Sequence, residues 1–196
     1  SAGSGGSGGG GGTGGGTSLP FSFFVTSTGS GPAGGNLGGI QGADAKCQAL
    51  ASAAGAGAAT WRAYLSTTTE DARDRIGSGP WFNFAGDMVA SSVASLHTNG
   101  ISNGVPQHMM DQNGNAIPAK EHDILTGSLP NGTKDIGGTC ADWTSGAFAV
   151  HATVGHTDIP NPPFSPSWNS AHRTLGCTQN SFQNPNGAGR LYCFAL

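Results

Sequence analysis

Charge is what this chain has least of. Only 10% of its 196 residues are Asp, Glu, Lys or Arg, eight basic against eleven acidic, and the net charge is −3. No basic run occurs, so the electrostatic footprint of a nucleic-acid binder is missing. Arg62, Arg73, Arg75, Arg173 and Arg190 are too scattered to make a polyanion site of another kind. Long apolar runs are also missing: the longest are a few residues, far short of the roughly 20 that carry a helix across a bilayer. There is no CxxC pair, which argues against a zinc ribbon or a thioredoxin-like centre. The absence of HExxH and GxSxG removes the usual metalloprotease and hydrolase signatures.

Glycine and proline are abundant, at 35 and 11 residues. Turns, loops and short strands are therefore expected in place of long surface helices, in a compact α+β domain. Four cysteines in a small Gly-, Ser-, Thr- and Asn-rich chain fit an oxidising compartment and two disulfides, for which three pairings exist. Residues 1–18 read SAGSGGSGGGGGTGGGTS and have nothing to bury, so they form a flexible tether with a reach of roughly 23 Å. Residues 19–196 form one domain. A Ser/Gly tether of this kind follows the lipid-bearing Cys of many bacterial lipoproteins, and the expectation is an anchor through such a Cys just before Ser1.

Phe21, Phe23 and Val25 alternate within Pro20 to Ser27 and predict a first strand with those three on one face. Ala43, Cys47, Leu50, Ala51 and Ala54 recur at helical spacing over residues 42–55, which turns Cys47 inward, and Gly55 supplies a stop. Trp61, Ala63 and Leu65 alternate against Arg62 and Tyr64 in a second strand over residues 60–66. Thr67 and Glu70 have the spacing of a capping box and open a short helix ending near Ile76 and Gly77. Pro80 to Phe84 reads as a buried strand, Met88 to Leu96 as a brief helix, and Asn113-Gly114 as the type I′ turn of a hairpin. Arg190 to Leu196 reads as a closing strand able to pair with the first.

Chemistry-bearing residues gather late in the chain. His151, His156, Asp158 and His172 are candidate metal ligands, with Glu121, His122 and Asp123 upstream, because imidazoles and carboxylates are what zinc takes. Their spacing is irregular, and a loop-rich domain also uses His and Asp to satisfy its own backbone. Trp168, Asn169, His172, His156 and Asp158 flank the loop Pro160 to Pro166 and are the candidate ligand-binding residues. Calcium is the other metal considered, at the Asp/Asn-rich stretch from Asp111 to Asn115. Gly114 is out of place there for an EF-hand, and His122 stands where the twelfth-position acid belongs. No catalytic constellation stands out.

Taken in order, Gly38-Gly39-Ile40-Gln41-Gly42-Ala43-Asp44-Ala45-Lys46-Cys47, Trp61-Arg62-Ala63-Tyr64-Leu65-Ser66, Cys140-Ala141-Asp142-Trp143-Thr144 and the close from Cys177 to Cys193 resemble the endostatin-like, C-type-lectin-like domain. The likeness is greatest to the bacterial endostatin-like outer-membrane lipoproteins and covers roughly residues 20 to 196. The resemblance implies a mixed twisted sheet with one main helix, loop-rich, and two nested disulfides, Cys47–Cys193 and Cys140–Cys177. The histidines that bind zinc near the N-terminus of endostatin have no counterpart here. The EPN- or QPD-like loop of calcium-dependent lectins is missing, and Trp168-Asn169-Ser170 lacks the acid of their WND-like strand. The function this resemblance implies is that of a binding or adhesion module outside the cytoplasm of a bacterium, lipid-anchored at the outer membrane or cell surface or else secreted, recognising a protein or glycan through loops near residues 151–172. The alternatives are a metal-dependent enzyme or metal-binding module built on the His/Asp cluster, and a structural envelope or appendage subunit.

Overall fold

The computed structural model describes residues 21–101, 105–158, 168–184 and 186–196. The tether at residues 1–18, Pro20 and the loop Pro160 to Pro166 lie outside the described residues.

The last strand organises the sheet. β8 (Gly187–Ala195) is antiparallel to β1 (Phe23–Val25) and β2 (Trp61–Ala63), and parallel to β5 (Asp123–Leu125). β5 then pairs antiparallel with β6 (Thr153–His156), and β6 with the two-residue β7 (His172–Arg173) at the edge. The sheet is thus mixed and the domain α+β. A separate ribbon joins β3 (Trp81–Phe82) to β4 (Met88–Ala90).

Both faces of the central strands are buried, which is why these strands read as nearly continuous apolar runs. Leu191 and Cys193 of β8, Phe24 of β1 and Trp61 and Ala63 of β2 share one cluster with Trp143 and the main helix, α1 (Gly39–Ala53). Tyr192, Phe194, Phe23, Val25, Tyr64, Trp81 and Trp168 fill the cluster on the opposite face. Phe21 departs from expectation: it precedes the strand and packs with Phe24 and Trp61, away from Phe23 and Val25.

α1 starts three residues earlier than its apolar pattern suggests, after Gly38 in a left-handed conformation. Ala43, Cys47 and Ala51 face the core. Its polar side chains secure β2: Asp44 Oδ1 accepts from the Ala63 amide at 2.9 Å, and Gln48 Oε1 from the Trp61 amide at 3.0 Å. Cys47 is joined to Cys193, so helix and closing strand are covalently tied, and Cys140 is joined to Cys177. Each bridge stabilises by roughly 2–4 kcal/mol through constraint of the unfolded chain. Disulfides of this kind indicate an extracytoplasmic, oxidising environment. Among the described residues no helix is long and apolar enough to cross a membrane.

Four local expectations need correction. Residues 88–96 are not one helix: Met88–Ala90 is a strand, and the helix α2 (Val93–Asn99) begins after Ser92, whose hydroxyl accepts from the Ser95 amide. The strand expected to reach Phe84 stops at Phe82, and Phe84 is exposed. The Thr67 hydroxyl does accept from the Glu70 amide at 3.0 Å, but the Glu70 carboxylate goes to Arg75, and a single 3-10 turn, Ala72–Asp74, follows. At the hairpin Gly114 has positive φ and Asn113 does not, so the turn is not type I′. Gly114 ends the three-residue loop, Gln112 to Gly114, enclosed by the bond from the Asp111 amide to the Asn115 carbonyl, just inside the Met110–Ala116 bridge.

Candidate metal centre

The register of the sheet brings together residues that are 16 to 50 positions apart. Asp123 is directly opposite His156, and His172 is opposite Val154, two residues back on the same face. His122, just ahead of β5, is fixed where its carbonyl accepts from the Thr157 amide at 3.0 Å. Gly155 permits this arrangement: a Cβ there would lie 1.6 Å from the Trp168 carbonyl oxygen, so only glycine lets that backbone cross beside His156.

The result is three imidazoles around one buried carboxylate. Asp123 is 3% exposed. Nε2 of His122 and Nε2 of His156 each stand 3.1 Å from its Oδ1, and Nε2 of His172 stands 3.6 Å from its Oδ2. The rings pack edge to face in sequence, with centroids 4.8 Å apart for His122 and His156 and 5.1 Å for His156 and His172. His122, Asp123 and His156 offer donor atoms that all lie within 4.8 Å of one another.

The opposite nitrogens of the His122 and His172 rings are occupied elsewhere. Nδ1 of His122 bonds the Ala119 carbonyl at 2.7 Å and lies 3.4 Å from Asp158 Oδ2. Nδ1 of His172 bonds the Arg173 carbonyl at 3.2 Å. Asp158 Oδ1 is 3.9 Å from His156 Nδ1. A ring nitrogen that bonds a carbonyl must carry the proton, so in the neutral rings of His122 and His172 the free lone pair is on Nε2, facing Asp123. Outer partners of this type are what orient metal-ligating histidines.

Burial works to raise the Asp123 carboxyl, but the His156 and His172 rings outweigh it and hold the group well below the usual carboxylate range. The Asp123 carboxylate in turn raises His172. Yet Asp123 Oδ1 and His156 Nε2, 3.1 Å apart, are both buried atoms without a hydrogen-bond partner. A protonated His156 would satisfy this carboxylate directly, whereas with the ring neutral and its lone pair on Nε2 a bound cation would serve both atoms.

The other expected site residues lie elsewhere. His151 bonds the Thr174 carbonyl through Nδ1 at 3.0 Å and gives no donor atom to the group. Trp168 and Asn169, expected in a ligand-binding loop, are interior residues. The Trp168 indole donates to the Leu96 carbonyl and packs against Tyr64 and Tyr192. Asn169 donates to the Tyr64 hydroxyl and the Leu129 carbonyl. Asp111, at the stretch weighed for calcium, is used by its own turn, accepting from the Asn113 and Asn115 amides. Glu121 pairs with Arg190. His122 and Asp123, placed upstream of the expected ligands, form the centre; the one signal for them in the sequence is their adjacency at the head of a short apolar strand. His122 and Asp158 also line an open cleft with Pro106, Met109, Ile117 and Thr157. The sequence matches no protein-family model, and no curated protein matches it.

Proposed function

We propose that this chain is a metal-binding module that works outside the cytoplasm, holding one divalent ion of the zinc class between His122, Asp123 and His156. The spacing of the buried donors carries the reading. Zinc bonds to nitrogen and oxygen of about 2.0–2.1 Å at tetrahedral angles set neighbouring ligand atoms about 3.3 Å apart. The two Nε2 atoms at 3.1 Å from Asp123 Oδ1 fit that edge length, and an ion would be bonded by Oδ1 and His156 Nε2, which make no well-formed hydrogen bond with each other. Imidazole-rich donors suit zinc, copper or nickel, whereas calcium and magnesium take oxygen. Asp158 and the Ala119 carbonyl would act as outer-shell acceptors.

We read the fold as C-type-lectin-like and endostatin-like. In support, the terminal strands pair, and Cys47–Cys193 and Cys140–Cys177 are the pairings that the resemblance implies. The lipid-anchored tether at a bacterial surface, and a protein or glycan as ligand, belong to the same reading.

Elemental analysis of protein purified without chelator tests the metal. One zinc-class ion per chain is expected, absent from His156→Ala and Asp123→Asn with circular dichroism unchanged. Wild-type protein that neither carries nor takes up zinc at micromolar concentration overturns the proposal.

A further inference from the structure

We infer that the centre keeps one coordination position for an outside ligand, an anionic oxygen donor of the carboxylate class, and that His172 is the displaceable group standing at that position. This rests on the metal reading above. Zinc sites divide into closed four-ligand structural sites and sites with three protein ligands and an exchangeable fourth position. The four candidate side chains here divide in the same way. Asp123 and His156 are directly paired across β5 and β6, and His122 is held beside them by the Thr157 amide. Their side chains are 3%, 14% and 15% exposed. His172 is 36% exposed, faces the other carboxylate oxygen at 3.6 Å, and belongs to a two-residue strand at the edge of the sheet.

The fold also has little need of an ion to hold it together. Two disulfides and two apolar clusters secure it, and the centre lies toward one side of the sheet, on β5 and β6, with only β7 beyond them. Two neutral imidazoles and one carboxylate leave a net positive charge on a divalent ion's inner sphere, which favours an anion as the incoming group. Displacing His172 exchanges one bond for another and needs no other element of the sheet to move.

Cobalt(II) substitution makes the position visible. Wild-type and His172→Ala proteins are loaded with cobalt, and the visible absorption is followed during titration with acetate, then azide. His172→Ala is expected to keep its cobalt and to bind acetate about tenfold or more tightly than wild type, because the internal competitor is gone. Loss of cobalt from His172→Ala as complete as from His156→Ala, with circular dichroism unchanged, would make His172 a fixed ligand of a closed site and overturn the inference. An acetate response equal in the two proteins would overturn it too, by removing His172 from the ion. A wild-type protein that takes up no cobalt defeats the metal reading itself, and this inference with it.

Discussion

Among the described residues, the turn at Cys140–Trp143 and the group around Asp123 both depart from ordinary local structure, and the first satisfies its own polar groups more fully. Cys140, Ala141, Asp142 and Trp143 all have positive φ, between 48° and 64°, a conformation that costs L-residues about 1–2 kcal/mol each. Internal bonds offset it. The Trp143 amide donates to the Thr139 carbonyl at 2.8 Å, and the Trp143 indole to the Ser66 carbonyl at 2.8 Å. The Asp142 carboxylate accepts from the Thr68 amide and hydroxyl at 2.7 Å each, and the bridge to Cys177 fastens the start. Around Asp123 the opposite holds: donor atoms converge in ion-pair contacts, and two of them, Asp123 Oδ1 and His156 Nε2, make no well-formed hydrogen bond. A strained element that satisfies its own groups reads as scaffold, whereas converging donors that do not are what the proposed metal site is built on.

The sharpest way to break this comparison is to injure each region and read both stability and metal content. Replacing Cys140 and Cys177 by Ser frees a 37-residue separation in the unfolded chain and is expected to lower stability by about 4 kcal/mol in denaturant titrations. Trp143→Ala is expected to cost about 3–5 kcal/mol. Folded fractions of both variants should still bind one zinc. Asp123→Asn should show the reverse, losing zinc while lowering the stability of chelated protein by about 1–3 kcal/mol in the same titrations. Asp158→Asn removes only an outer acceptor, and calorimetry should find zinc affinity about 10–100-fold weaker.

The smallest effect concerns pH. In chelated protein the Asp123 carboxylate raises His172 above its unfolded value, so the pair's contribution is fully present below about pH 6.5 and is lost as pH rises through the raised value. Asp123 is shifted down, so its own contribution is lost only in strong acid. Zinc needs deprotonated rings, so zinc affinity rises over the range in which the chelated protein weakens. Melting temperatures from about pH 6 to 8 should therefore fall without metal and rise with it. Parallel slopes would contradict this.

Much of the scaffold was legible in the sequence because its signals are local. The helical spacing of Ala43, Cys47 and Ala51 located α1, and the aromatic alternation in residues 21–25 and 61–65 located β1 and β2. The conspicuous run Thr139 to Ser145 is scaffold, although nothing in its residue types announces a left-handed turn. The candidate metal centre was only partly legible. His156, Asp158 and His172 stood out, but His151, Trp168 and Asn169 stood out equally and serve the interior or the backbone. What separates the two sets is the β5–β6–β7 register, a long-range pairing that no local spacing encodes.

The most direct measurement is anomalous diffraction at the zinc edge from crystals of protein loaded with zinc. The account predicts one peak at about 2.0–2.2 Å from Nε2 of His122, Nε2 of His156 and Oδ1 of Asp123. A well-ordered site without such a peak, or zinc bound only elsewhere on the chain, would contradict it.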